Sequence, residues 1–137
     1  MKQKGTIDAL LIEPGKKPLP VKIGSEQISL AEAIGAATIQ YMIFEGAPFV
    51  FVYDYYAESK GRPQNRALRD EHGHVFGIIP GPFLVVGWTG KSHCSLASDW
   101  MEAFVDLFAV PETFVMKGRE LHIVPIYDNC SPGYFPN

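Results

Sequence analysis

Apolar and polar positions change period along this chain, and the changes mark its elements. Ala9-Leu10-Leu11-Ile12 is an apolar run inside Thr6 to Glu13 and reads as a strand, closed by Pro14-Gly15 and Pro18. Leu19, Val21 and Ile23 then alternate with Pro20 and Lys22, the pattern of a half-buried strand. Pro20 places it at a sheet edge or strand start, because proline cannot donate to a ladder on both sides. The two runs are expected to pair as an antiparallel hairpin with a long turn. Ser29-Leu30-Ala31-Glu32 has the form of a capping box, with the Ser29 hydroxyl accepting from the Glu32 N–H. It predicts a short helix over 29–35, ended by Gly35. Thr38 to Phe44 and Pro48 to Tyr53 return to strand character around Glu45-Gly46, so the first half reads as ββαββ.

The second half begins with a polar, aromatic loop from Asp54 to Lys60. Arg66 to Asp70 and Val75 to Ile79 flank Glu71-His72-Gly73-His74, which predicts a hairpin turn with Gly73 at positive φ. Pro80-Gly81-Pro82 interrupts before the apolar strand Phe83 to Gly87. Ser95 to Ala109 carries the clearest helical period, with Leu96, Trp100, Phe104 and Leu107 recurring and Met101, Val105 and Phe108 beside them. Ser95 is its expected N-cap, Asp99 suits the first-turn dipole, and Pro111 stops it. Leu121 to Tyr127 reads as a final strand. The pattern predicts an α+β fold: an antiparallel sheet of five to seven strands, covered on one face by a main helix at 95–109, with a short helix at 29–35. One domain over 1–127 would carry a turn-rich tail at 128–137.

Composition narrows the function. A net charge of −3 argues against broad nucleic-acid binding, which needs a positive face. The basic start lacks the long apolar stretch and small-residue site of a signal peptide. The longest apolar runs are far short of the roughly 20 residues that span a bilayer, so no membrane contact is expected. Cys94 and Cys130 lie outside any CxxC pair. Together these predict a cytoplasmic protein with reduced cysteines. No GxGxxG, P-loop or GxSxG is present, and no cofactor is expected. His72 and His74 read as a solvated hairpin tip, since no third ligand has metal-site spacing to them. Cys94 beside His93 reads as a packed cysteine, since no third, orienting group is visible.

The candidate chemistry is concentrated in Arg62-Pro63-Gln64-Asn65-Arg66-Ala67-Leu68-Arg69-Asp70, between two strongly apolar segments. Arg62, Arg66 and Arg69 each present a planar fork suited to carboxylate or phosphate. On a regular strand Arg66 and Arg69 face opposite sides, so they could grip one anion only if the segment is a turn, a helix or bent. Asn65, after a proline, suits a turn, or a contact to an amide or base edge. Asp70 is the nearest carboxylate. Tyr53 and Tyr55, on one face beside the cluster, add the residue type that recognition surfaces favour with arginine.

Ile12-Glu13-Pro14-Gly15-Lys16, then Gly61-x-Pro63-x-Asn65-Arg66-Ala67-Leu68-Arg69-Asp70, then Ile78-Ile79-x-Gly81-x-Phe83, resemble the family catalogued as domain of unknown function 3846. Ser95-Leu96 and Pro111-Glu112 also fit, and the resemblance runs roughly from Ile7 to Val124. It implies an accessory protein of a bacterium, phage or mobile element, and no particular reaction. Three expectations follow for the cluster. It is a non-enzymatic binding site, in which Arg62, Asn65, Arg66, Arg69, Asp70, Tyr53 and Tyr55 engage a host protein or a small anionic ligand. Or it serves an enzyme acting on a nucleotide or phosphoester, with Asp70, Glu71, His72 or His74 as the general base. Or it is architectural, and its arginines brace the fold.

Overall fold

The structure, a computed structural model, describes residues 5–127. The expected tail at 128–137, with Cys130, lies outside the described residues. Ten strands and two helices follow in the order β1 Thr6–Ile12, β2 Leu19–Gly24, α1 Gln27–Ile34, β3 Ile39–Ile43, β4 Phe49–Asp54, β5 Gln64–Arg69, β6 Val75–Pro80, β7 Phe83–Trp88, β8 His93–Cys94, α2 Ser98–Leu107, β9 Glu112–Lys117 and β10 Glu120–Pro125. Six of the strands form one antiparallel sheet in the order β2-β1-β7-β4-β3, with the short β8 on β7. Two hairpins, β5–β6 and β9–β10, are separate two-stranded sheets. The α+β class, the antiparallel sheet and the ββαββ opening are as the pattern predicts.

The sheet is buried on both faces, and the two helices divide them. Ile7, Ala9, Val50, Val52, Leu84 and Val86 pack with Leu30 and Ile34 of α1. Leu10, Ile12, Phe51, Phe83 and Val85 point the other way and pack with Phe104 and Phe108 of the α2 region and with Leu68 and Ile79 of the β5–β6 hairpin. Double coverage explains why β7 reads as a continuous apolar run: successive side chains enter different cores. Pro20 stands on the edge strand β2, opposite Leu10.

Both helix starts differ from expectation for tertiary reasons. The first helix begins at Gln27 with Glu26 as N-cap, and no side-chain capping hydrogen bond forms there. Ser29 lies inside the helix, with its hydroxyl over Gly24, so the capping box does not form. Gly35 ends the helix at φ 66°, as predicted. The second helix begins at Ser98 rather than Ser95. The Ser95 hydroxyl instead accepts the Asp8 N–H at 2.9 Å, and the Leu96 N–H bonds the Asp8 carbonyl, which holds 95–97 extended beside β1. Leu107, expected on the core stripe, is 67% exposed. Strand β9 was not anticipated, and Gly118 at φ 65° turns it into β10.

Candidate functional site

The arginine-rich segment is a strand, but an irregular one. In the β5–β6 pairing, Gln64 meets Pro80 and Arg66 meets Ile79, which leaves Asn65 as an additional, bulged residue. A second shift lies between Leu68 and Arg69. The first bulge turns Asn65 and Arg66 inward together, and both are buried. The Asn65 amide donates to the Ile12 carbonyl at 2.9 Å and to the Gly81 carbonyl at 2.8 Å. Its oxygen accepts from Arg66 Nη1 at 2.8 Å. It therefore joins the end of β1 to the turn before β7.

Arg66 is satisfied entirely by neutral oxygens. Its Nε and Nη2 donate to the Phe108 carbonyl, Nη2 also to the Lys16 carbonyl at 2.6 Å, and Nη1 to Asn65 and to the Glu13 carbonyl. These bonds occupy all three nitrogens of the fork. Burial lowers its pKa from the ordinary value, and the Glu112 charge acts in the opposite direction. A guanidinium surrounded by acceptors alone is held as the cation.

Arg62 performs a similar task on the opposite face of the sheet. Its Nη2 donates at 2.7 Å to the carbonyl of Gly35, the C-cap of α1. Its Nε lies 3.2 Å from Asp54 Oδ2, which also meets Lys60 Nζ at 2.9 Å. Asp54 is buried, and its other oxygen accepts the Tyr56 N–H. Burial alone would raise the Asp54 pKa, but the bonds from Lys60 and Tyr56 and the two cationic charges outweigh it, and the net shift is downward.

Arg69 does something else. Its Nη2 meets Glu112 Oε2 at 2.8 Å, while Glu112 Oε1 accepts the Ala67 N–H at 2.9 Å. The Glu112 side chain thereby joins β9 to the edge of β5, and Arg66 and Arg69 grip no common anion. Both arginines nevertheless line the same cleft, of about 570 Å³, between α2 and the two hairpins. Of the nine phenylalanines in the sequence, Phe44, Phe49, Phe51, Phe76, Phe104 and Phe108 line this one space. Leu107 is exposed because it too faces the cleft. Sequence reasoning missed Glu112 and the cleft. The recoverable signal was the Phe-rich composition together with the alternation of Thr113-Phe114-Val115-Met116 after Pro111.

The remaining predicted residues lie apart from the cleft. Asp70 caps its own turn, with Oδ1 accepting the N–H groups of His72 and His74 at 2.9 Å. The His72 and His74 side chains are solvent-exposed at the hairpin tip, beside Glu71 and Asp70, with Gly73 at φ 81° as expected, and neither lines the arginine-bearing cleft. Tyr53 is half-buried against the α2-side core. Tyr55 is exposed and packs edge-on against Tyr56, with ring centroids 4.8 Å apart. Among the described residues no group of three His, Cys, Asp or Glu side chains could hold a metal ion, and no helix is long and apolar enough to cross a membrane. His93 bonds away from Cys94: one ring nitrogen meets the Tyr41 hydroxyl at 3.0 Å and the other the Ser25 carbonyl.

A family model described as Domain of unknown function (DUF3846) matches residues 7–109, which contain the whole Asn65–Arg66–Phe108 lock. No curated protein and no solved structure matches the chain.

Proposed function

The chain belongs to the DUF3846 family, and from that premise we propose that it is a non-enzymatic binding module of a phage or mobile element whose ligand seat is the phenylalanine-lined cleft beside β5. The observation that carries this reading is the cleft itself. Its volume falls in the range of small-molecule sites, and its lining is mostly apolar, rich in phenylalanine, with a few charged groups at β5 and β9. Packed phenylalanines give a ligand apolar area without loss of side-chain freedom on binding. The arginine cluster then divides its labour. Asn65 and Arg66 hold the walls in place, Arg62 braces the opposite face of the sheet, and Arg69 is the half-exposed cation left to meet a ligand. The ligand is a small, largely apolar molecule.

Titration of small aryl compounds, followed by amide NMR, tests the reading. Binding should move resonances of Ala67, Phe76, Phe104 and Leu107 together. Phe76→Glu and Leu107→Glu place charge on exposed positions of the lining without disturbing the core, and should abolish those shifts while the fold persists. Compounds that bind this protein elsewhere and leave these residues unmoved would sink the proposal.

A further inference from the structure

Glu112 is the one acidic side chain in the lining of the cleft, and it is held as a ligand would be held. One carboxylate oxygen takes a backbone N–H at the edge of β5, and the other takes a guanidinium. Its side chain is only 11% exposed, and phenylalanine rings line the adjoining space. An apolar carboxylate bound here would adopt the same arrangement, with its head on the Ala67 N–H and Arg69 and its body among the rings. We propose that the cleft selects small apolar monocarboxylates, and that Glu112 is an internal stand-in for the ligand's head group, which the ligand displaces. This rests on the cleft reading given above and adds the chemical class of the ligand.

Three features support the exchange. The first is charge complementarity. Arg66 is buried on neutral carbonyls, and the Glu112 charge is what favours its protonated form. A ligand carboxylate on the same two donors supplies the same negative charge, so displacement does not strand the buried cation. The second is freedom to move. Arg69 is 42% exposed, and Glu112 opens β9, whose ladder partner is β10 alone, so the displaced carboxylate can turn toward water. The third is that Ala67 and Arg69 lie on β5 while Glu112 lies on β9, so the seat and its competitor belong to different elements. Glu112 sets the affinity by competition: a neutral ligand leaves it in place, and an anionic one must dislodge it.

The test compares phenylbutyrate with the neutral phenylbutyramide, by calorimetry and NMR, on the wild-type protein and on Glu112→Gln and Arg69→Gln. The amide measures the apolar cleft, and the carboxylate measures the head-group seat. Glu112→Gln should tighten phenylbutyrate by about tenfold, a change of one decade in Kd, and leave the amide within about twofold. Arg69→Gln should erase the preference for the carboxylate. In the wild type, phenylbutyrate should shift the Glu112 carboxylate carbon resonance while the amide leaves it unmoved, a readout that does not depend on either variant folding. If the amide binds in the cleft but phenylbutyrate gains nothing from Glu112→Gln or leaves the Glu112 resonance unmoved, this inference is overturned and the cleft reading survives. If neither compound reaches the cleft, both are overturned.

Discussion

The Arg66 guanidinium embraces the carbonyl oxygen of Phe108, with Nε at 3.3 Å and Nη2 at 3.1 Å, where α2 ends. A cation at a helix C-terminus is favoured by the dipole, and here it is also the cap, because Phe108 is followed by no further helical turn. Replacing Arg66 with Met would leave the Phe108, Lys16 and Glu13 carbonyls without their donor. At roughly 1–3 kcal/mol for a buried unsatisfied group, the expected loss is on the order of 3 kcal/mol, read from the urea midpoint. Arg66→Lys should recover less than half of it, since a single ammonium cannot span the same acceptors. A variant as stable as the parent would remove Arg66 from its structural role.

Arg69 offers a contrast within the same strand. Its pairing with Glu112 is partly exposed, so Arg69→Ala should cost no more than about 1 kcal/mol. Thermal melts of Arg66→Met and Arg69→Ala side by side should separate Arg66 from Arg69 clearly. Equal losses would contradict the division of labour.

The sequence foretold where the polar cluster lies but not which way its members turn. Strand alternation set Arg66 against Arg69, but with two register shifts in β5 both line one cleft, and they differ in their partners. The bulge at Asn65 was invisible, because a bulge is fixed by what β6 and β1 present, not by local propensity. The capping signals at Ser29 and Ser95 failed for the same reason: each serine packs against or bonds a neighbouring strand, over Gly24 and with Asp8. The hairpin turn at Gly73, the edge role of Pro20 and the end of α1 at Gly35 were legible because each depends on one residue's own backbone. The cleft was not, since six phenylalanines spread from Phe44 to Phe108 converge only through the fold.

Asp54 makes stability depend on acid. Its folded pKa lies below the ordinary value, so the stabilisation is fully present above the unfolded pKa, roughly pH 4, and is lost as pH falls through the lowered folded value. Acid unfolding followed by circular dichroism should show a limb below about pH 4 that flattens in Asp54→Asn. The variant should also be less stable at neutral pH, because Lys60 and Arg62 lose their shared acceptor charge. An unchanged acid limb would show that another carboxylate governs it.

Gly87 and Gly81 should respond differently to alanine. A Cβ at Gly87 would collide with the Ser95 carbonyl oxygen and lie 2.9 Å from Cys94 Sγ, in the sheet interior where backbone must move. A Cβ at Gly81 would meet the flexible Arg62 side chain, so the main cost there is its φ of 72°. Overpacking is expected to cost about 1–3 kcal/mol at Gly87 and the left-handed backbone about 1–2 kcal/mol at Gly81. Melting temperatures should therefore place Gly87→Ala lower, and the reverse order would mean that β8 yields easily.

The hydrogen bonds of His93 assign its neutral tautomer. A carbonyl can only accept, so Nε2 carries the proton toward Ser25 and Nδ1 accepts from the Tyr41 hydroxyl. Nitrogen-15 spectra of the ring should show the Nε2–H form, and Tyr41→Phe should change the Nδ1 shift alone. An Nδ1–H pattern would mean that the loop holding Ser25 sits differently.

Every strand of the central sheet is complete by Cys94, whereas the carbonyl that Arg66 embraces belongs to Phe108. The contacts of Arg66 to Glu13, Lys16 and Phe108 span 53, 50 and 42 positions, so they close long loops, and the one to Phe108 must wait for the end of α2. A chain emerging from the ribosome thus holds all the strands of its sheet before the helix that hides one face has been made. Until Phe108 clears the exit tunnel, the nascent protein carries an uncovered aromatic surface, the form that chaperones recognise and that aggregates when synthesis stalls.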